Sequence, residues 1–359
     1  MNKKTYRAAA IGHTGAGNYG HGLHTVYNNI ENVEFIAISD PDEAGRARAV
    51  EETGAKRSYA DYHEMLQKEA LDIVSVCPRW VPEHLDMVMS CLNAGCHVYC
   101  EKPMTSSLVD GDTIVETANQ KGLKVAVAHQ AVYLPATHAI RDMLNDGKIG
   151  KVQAIYASGK QDRRGGGEDM ITLGTHLFNL MRFYVGDVKW MRSHVTKDGK
   201  EVTFGDDHQP TEPVGPVAGD CVNSYFAFKS GVAGYFQSRK DQAGTGRYGM
   251  DIAGSDGILS LRGDVANRIM HYPHPVFLPS NTNQKWQPIE LDNTPFFQGN
   301  ELAIMDLIDA IENDRKPISS AEDAVAALEM IVGAYESQLT GQRVQFPIEN
   351  REHPLTRSI

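Results

Sequence analysis

The chain has 359 residues, 41% hydrophobic and 23% charged, an ordinary soluble composition on a length that exceeds one core and calls for two domains. Its formal net charge of −11, with no long run of Lys and Arg, argues against nucleic acid as a partner, since a sequence-independent grip on phosphates needs a basic surface. The five cysteines, Cys77, Cys91, Cys96, Cys100 and Cys221, are an odd set mostly in apolar segments, which reads as buried free thiols in a reducing, cytoplasmic setting rather than disulfides or a zinc site. Asn2 to Arg7 is basic, but the apolar run Ala8 to Ile11 is too short for a signal-peptide core. No later window reaches transmembrane length, so no membrane partner and no metal are expected.

Arg7 to Ile11 reads as a short apolar strand, followed by the glycine-rich run Gly12 to Gly20. Gly15, Gly17 and Gly20 fit G-x-G-x-x-G, a spacing that lets backbone amides approach a pyrophosphate at a helix N-terminus. A second register uses Gly12, Gly15 and Gly17. The pattern predicts a helix over about His21 to Asn29, then a strand, Val33 to Ser39, that ends at Asp40. An acid in that place hydrogen-bonds the adenine ribose diol of NAD and repels the 2′-phosphate of NADP.

Helices are expected over Ala44 to Thr53 and Tyr62 to Lys68, with a short strand, Arg57 to Tyr59, between them. Leu71 to Val76 is nearly continuously apolar, as a parallel strand covered on both faces should be. It ends in the loop Cys77-Pro78-Arg79-Trp80, before a helix from His84 to Asn93. A strand starting at Cys96 then delivers Glu101 and Lys102 to the carboxyl end of the sheet, where ligands of open parallel sheets bind, and Pro103 stops the ladder. A helix over Leu108 to Lys121 and a strand, Leu123 to Ala128, lead to His129 and Gln130. Strand, glycines, helix, strand and acid in this order define a dinucleotide-binding domain.

The glycine loop, Asp40, the Pro78 to His84 loop and the run Ala94-Gly95-Cys96-His97-Val98-Tyr99-Cys100-Glu101-Lys102-Pro103 together resemble the glucose-fructose oxidoreductase, inositol dehydrogenase and rhizopine-catabolism (Gfo/Idh/MocA) family. The resemblance covers almost the whole chain. It implies an α/β architecture: an N-terminal Rossmann domain over 1–130, and a C-terminal α+β domain over 131–359 with a large, mostly antiparallel, open-faced sheet. It also implies a cofactor, NAD, contacted by Gly12, His13, Thr14, Gly15, Gly17, Tyr19, Asp40, Pro78, His84, Glu101, Lys102 and Gln130.

The character of the sequence shifts after Pro135, with a boundary near 130 to 150. A helix, Thr137 to Asn145, precedes a strand, Gln153 to Ser158, and the triple glycine Gly165 to Gly167. Met170 to Val185 has helical spacing, with Leu173, Leu177, Leu180 and Met181 on one stripe and positions 172, 176 and 179 sharing another face. The resembled family carries D-x-G-x-H-x-x-D here. His176 matches its histidine, but Thr172 and Asn179 stand where the acids are expected, and Val132 replaces an arginine after the sixth strand. Neither Thr172 nor Asn179 can act as a base at neutral pH, although both can hydrogen-bond.

Val222 to Phe228, Val232 to Ser238, Tyr248 to Ala253 and Ile258 to Leu261 alternate as strands with one face left open, a face that suits a homodimer or homotetramer. Val202 to Gly219 is a polar loop rich in Pro and Gly. Gln298 to Asn313 and Ala321 to Leu339 are amphipathic helices.

These readings converge on hydride transfer to or from a secondary alcohol of a sugar, sugar derivative or cyclitol. Lys102 is expected to donate to the reacting oxygen and His176 to accept its proton, because an unperturbed imidazole titrates near ~6.5 and lysine near ~10.4. Arg163, Arg164, Thr172 and Asn179 are the expected substrate contacts. Two other classes fit the resemblance: a glycosidase that oxidises its sugar transiently on NAD, and a non-enzymatic NAD sensor.

Overall fold

The apolar runs of the first third pair into a parallel sheet in the computed structural model, which describes residues 4–242, 246–262, 268–273 and 284–357. In chain order the elements are β1 (Tyr6–Ile11), β2 (Val33–Ser39), α1 (Glu43–Thr53), β3 (Arg57–Tyr59), α2 (Tyr62–Lys68), β4 (Ile73–Val76), α3 (His84–Asn93), β5 (His97–Cys100), α4 (Leu108–Lys121) and β6 (Val125–Val127). The strand order is β3-β2-β1-β4-β5-β6, all parallel, so the order reverses between β1 and β4. Ligands of such sheets sit outside that reversal. Helix boundaries follow local chemistry. Asp42 caps α1 by accepting from Gly45 N, Ser107 caps α4 by accepting from Asp110 N, and Gly54 and Gly122 end the two helices at φ 65° and 66°.

One expected element is absent. His21 to Asn29 forms successive turns instead of an α-helix, with three-residue bonds such as Gly22 N to Tyr19 O and Thr25 N to Gly22 O. Gly20 and Gly22 both have positive φ, 58° and 77°, and two left-handed residues so close together interrupt an α-helical ladder before it can form.

The second half contributes α5 (Pro135–Asn145), β7 (Val152–Ser158), α6 (Gly167–Thr172), α7 (Gly174–Val185), β8 (Val188–Lys197), β9 (Lys200–Glu201), β10 (Cys221–Phe228), β11 (Ala233–Arg239), β12 (Gly249–Gly254), β13 (Ile258–Arg262), β14 (Arg268–Tyr272), β15 (Gln287–Pro288), α8 (Gly299–Glu312), α9 (Ala321–Thr340) and β16 (Val344–Gln345). Among the described residues the strands form a ten-stranded sheet in the order β15-β14-β13-β12-β7-β11-β10-β8-β16, with β9 paired to β8. Residues 243–245, between the expected strands Val232 to Ser238 and Tyr248 to Ala253, lie outside the described residues. All pairs are antiparallel except β7 with β11. One face buries Phe226 and Phe236 against Phe178 of α7, at ring separations of 5.6 and 4.8 Å. The other face carries Tyr156 stacked on Tyr235 at 4.8 Å, with Tyr225 edge-on at 5.3 Å.

The chain divides into two compact units: Met1–Gln130 with Glu212–Gly215 and Phe297–Val325, and Ala131–Thr211 with Pro216–Phe296 and Ala326–Ile359. In the first unit the returning segment covers the sheet edge at β6. Ser319 O accepts from Val127 N at 2.9 Å, and Ser320 forms a bridge with Ala126. An edge closed in this way no longer offers free backbone groups to another chain.

Two half-buried histidines make stability depend on pH. Burial pushes both His97 and His353 down to about 4, helped by Lys4 at the first and Arg357 at the second. Both rings stay neutral in the fold at pH values where an unfolded chain, with imidazoles near ~6.5, takes up protons. The unfolded state therefore binds more protons between about pH 6.5 and 4, and stability is lost as pH falls through that window. Urea midpoints should drop on acidification from about pH 7 to 4.5. His97→Gln, which can still accept from Lys124 N without titrating, should flatten the slope, and an unchanged slope would count against this account.

Candidate functional site

In the first unit three of the five glycines between β1 and β2 are required by the protein's own packing. A Cβ at Gly12 would lie 2.2 Å from the Tyr19 ring, one at Gly17 would lie 2.3 Å from Arg79 N, and one at Gly20 would lie 2.4 Å from Cys77 O. The loop is a small hairpin, bridged between His13 and Asn18, with Gly15 N donating to Asn18 Oδ1 at 3.1 Å. Among the described residues the amides of Gly17, Tyr19 and His21 donate to no backbone carbonyl. They project from turns, so the helix-dipole contribution expected from the sequence does not arise.

Asp40 is 0% exposed and faces inward. Its carboxylate accepts from Thr14 N at 3.1 and 3.2 Å, from Thr14 Oγ1 at 2.8 Å and from Asp42 N at 2.9 Å. The Tyr19 phenol is pushed well above its ordinary value, by burial first and by the Asp40 charge second. Asp40 therefore pins the glycine loop to the first turn after β2, where the sequence pattern placed it against a ribose.

Glu101 and Lys102 stand at the end of β5, as expected, and their loop is held from behind by His84. His84 is fully buried, with Nε2 2.6 Å from Pro78 O and Nδ1 3.1 Å from both Pro103 O and Met104 O. It clasps the loops after β4 and β5 together, through Pro78 on one side and Pro103 and Met104 on the other. Glu101 is also fully buried: His21 Nδ1 lies 2.6 Å from its Oε1, while Oε2 has no partner. His21 is in turn stacked on Phe297 at 5.8 Å, and its carbonyl accepts from Asn300 Nδ2 at 3.3 Å. Gln130, past β6, buries a carboxamide whose oxygen and nitrogen are both without a partner. Leaving a buried polar group without a partner costs about 1–3 kcal/mol, so each of these atoms favours a partner at this edge. Two hydroxyls and a carboxamide, the donors and acceptors of the nicotinamide riboside half of NAD, fit these groups.

In the second unit the expected helix Met170 to Val185 is broken. It divides into α6 and α7 at Leu173, just before Gly174, a poor helix former hemmed in by the Phe236 and Phe178 rings at 3.2 and 3.4 Å from a would-be Cβ. Continuous helical register therefore no longer relates Thr172 to His176 and Asn179, although all three are buried. Thr172 Oγ1 donates to Glu168 O at 2.8 Å, and His176 meets the Phe296 ring edge-on at 6.3 Å. Asp169, which the sequence did not single out, is fully buried and accepts from Ser238 Oγ at 2.5 Å and Gln161 N at 3.0 Å. Burial pushes its carboxyl up from the ordinary value. The sequence signal for it was an acid two residues after the triple glycine Gly165 to Gly167.

Arg163 and Arg164 are placed elsewhere. They line a polar cavity of about 730 Å³ with Lys197, His208, Arg239 and Lys240, and neither Thr172, His176 nor Asn179 lines it. Arg164 forks onto Asp162 at 2.7 and 3.1 Å and draws that carboxyl down to about 2, so its guanidinium is committed within the loop. Part of the Val202 to Gly219 loop borders the same cavity, and Thr211 donates to Glu168 there. Among the described residues no group of acids, histidines and cysteines could hold a metal, and no helix is long and apolar enough to cross a membrane.

Two family models match the chain: an oxidoreductase family NAD-binding Rossmann fold over residues 9–129, and the oxidoreductase family C-terminal alpha/beta domain over 141–346. The chain belongs to this Gfo/Idh/MocA family of NAD-binding oxidoreductases. It is similar to D-apiose dehydrogenase of Paraburkholderia graminis, 23% identical across 99% of this chain and 93% of the relative. It is also similar to NAD-dependent scyllo-inositol 2-dehydrogenase of Bacillus subtilis, 23% identical across 96% of this chain and 97% of the relative. Among solved structures, a levoglucosan dehydrogenase complex with NADH and levoglucosan superposes with a TM-score of 0.76, at 16% identity over 96% of this chain and 100% of that one. An NAD-binding oxidoreductase from Klebsiella pneumoniae superposes equally well, with a TM-score of 0.76, at 18% identity over 95% and 99%.

Because His84 holds buried carbonyls from two loops, replacing it with phenylalanine should destabilise the chain by about 2–5 kcal/mol and weaken NAD binding. Chemical denaturation and a cofactor titration check both parts. An unchanged denaturation midpoint would remove the clasp role.

Proposed function

We propose that the chain is a dehydrogenase that oxidises a secondary alcohol of a sugar, sugar derivative or cyclitol, or reduces the corresponding ketone. The observation that carries this reading is the pair Glu101 and Gln130 after the adjacent strands β5 and β6, both buried with polar atoms that lack partners, with Lys102 next to Glu101 in the chain. Sugar and cyclitol relatives at near-full length support the substrate class. Bound NAD supplies the hydride acceptor. Glu101, steadied by His21, accepts a hydroxyl of the nicotinamide ribose, and Gln130 bonds the carboxamide. Lys102 donates to the substrate oxygen and stabilises the charge that grows on it. His176 takes the hydroxyl proton as general base, with Thr172 and Asn179 as hydrogen-bonding neighbours in place of acids. Five unpaired cysteines suit a cytoplasmic setting.

A panel of sugars and cyclitols followed by NADH absorbance tests the reading. Net NADH formation supports it, whereas cleavage of an aryl glycoside without net NADH would replace it with the glycosidase. Lys102→Ala should keep folding and NAD affinity while turnover falls by about 10²–10³. His176→Ala should cost about 10²–10⁴ and abolish the acidic limb of the pH profile. A double variant with wild-type turnover would end the assignment.

The open sheet face is proposed as the surface of a homodimer or homotetramer. Tyr156 and Tyr235 are exposed there and line a shallow cavity of about 740 Å³ with Arg192, Arg247 and Arg262. Large exposed aromatics on one face mark association surfaces. Light scattering at micromolar concentration should give at least twice 39.5 kDa, and Tyr156→Glu with Tyr235→Glu should shift the mass toward that of one chain.

A further inference from the structure

The triple glycine of the second unit draws like charges together. A Cβ at Gly165 would lie 2.2 Å from Lys240 Cα, and one at Gly166 would lie 2.6 Å from the Asp220 backbone. The turn that carries Arg163 and Arg164 is therefore pressed onto the end of β11, which carries Arg239 and leads into Lys240. Asp241 N donates to Asp162 O at 3.0 Å and Gln242 N to Gln161 O at 2.7 Å, zipping the two segments together. Beneath them the buried carboxylate of Asp169 accepts from Gln161 N and Ser238 Oγ, and Ser238 Oγ accepts from Gly166 N at 3.0 Å. The floor is thus fixed by the backbone, whatever the charges above it prefer.

Those cations border the polar cavity of about 730 Å³, and Lys197 joins them from the end of β8. Arg164 is committed to Asp162, but among the described residues Arg163, Lys197, Arg239 and Lys240 form no ion pair and no side-chain hydrogen bond. The acids of the lining are placed differently. Glu168 is turned onto Thr211 N at 3.0 Å, and Asp220 accepts from Asp198 N at 2.9 Å, which leaves the carboxylates of Asp198 and Asp241 as open acceptors. Formal charges nearly cancel, five Lys and Arg against four Asp and Glu, so the pairing rather than the net field selects the ligand. An anionic group satisfies the convergent cations, and hydroxyls satisfy the two aspartates. A molecule anionic at both ends would set one end against Asp198 or Asp241.

We propose that this cavity binds a sugar bearing a single anionic group, a phosphate ester or a carboxylate, at a site separate from Thr172, His176 and Asn179, none of which lines it. Glu168 connects the two places. Its side chain lines the cavity, and its carbonyl accepts from Thr172 Oγ1 at 2.8 Å one helical turn away. An occupant that shifts Glu168 thereby shifts Thr172, which makes the site one for an effector. The assignment stands on the packing of the second unit and is independent of the NAD reading of the first.

Calorimetric titration of the full chain at about 0.1 M salt with glucose-6-phosphate, glucuronate, glucose and inorganic phosphate reads binding without turnover. At least one of the two anionic sugars should bind with a dissociation constant below about 1 mM, at least about tenfold tighter than glucose or inorganic phosphate, and should weaken toward about 1 M salt. Which of them binds identifies the anionic group as phosphate or carboxylate. Arg163→Gln combined with Lys240→Gln should weaken that binding at least about tenfold while the denaturation midpoint and NAD affinity stay as in wild type. Lys197→Gln combined with Arg239→Gln is the second pair and should do the same, and His176→Ala should leave the anion's affinity unchanged. Neither anionic sugar binding more tightly than glucose overturns the proposal. Inorganic phosphate binding as tightly as the sugars reduces the cavity to a place for an adventitious ion only, and also overturns it. Affinity lost in His176→Ala but kept in both paired variants puts the sugar among the catalytic groups instead.

Discussion

The imidazole of His84 is the contact on which the catalytic edge of the first unit depends. It meets Pro78 O on one side and Pro103 O and Met104 O on the other, so one ring spaces the loops that follow β4 and β5. Backbone carbonyls buried at strand ends have no ladder to join, and each needs a donor. With the two loops tied, Lys102 inherits a fixed backbone, and a lysine whose backbone is fixed loses less freedom on meeting an oxygen. Glu101 is steadied separately by His21, whose own carbonyl is held by Asn300.

The same economy of space explains the glycines. Gly12, Gly17 and Gly20 are each demanded by a neighbour, the Tyr19 ring, the Arg79 backbone and the Cys77 carbonyl. The fingerprint spacing in this chain thus records close packing of its own loops as much as an approach to phosphate. Asp40 belongs to the same system, since its bonds to Thr14 and Asp42 give the hairpin between β1 and β2 its shape.

How much of this could be read in advance follows from the range of the interactions. The strands Leu71 to Val76 and Val222 to Phe228 were legible because burial on two faces or on one leaves continuous or alternating apolar runs, and both appear with nearly those bounds. Glu101, Lys102 and Gln130 were legible as positions at strand ends. The partners of Glu101 were not, because His21 lies 80 residues away and reads locally as the start of a helix. The turns of His21 to Asn29 were missed because helical composition says nothing of the positive φ at Gly20 and Gly22. The break at Leu173 and the commitment of Arg164 to Asp162 likewise depend on a backbone geometry that residue spacing does not encode. Asp40 stands at the end of β2 as expected, while the bonds of its carboxylate to Thr14 and Asp42 depend on a loop geometry that spacing does not encode.

The return of Phe297–Val325 to the first unit has a consequence for the order in which the chain can fold. Tyr99 on β5 donates to Asn300 at 2.7 Å, and His129 pairs with Ser319 Oγ at 2.9 Å, contacts that span 201 and 190 residues. On a ribosome making about 5–20 residues per second, the six-stranded sheet can form early, yet its β6 edge and these buried polar groups must wait ten seconds or more for their partners. During that interval the nascent sheet presents an open strand edge of the kind that recruits other chains. The edge at Gln130 is thus closed only once Gly299 has emerged, where a Cβ would lie 2.5 Å from Gln130 O.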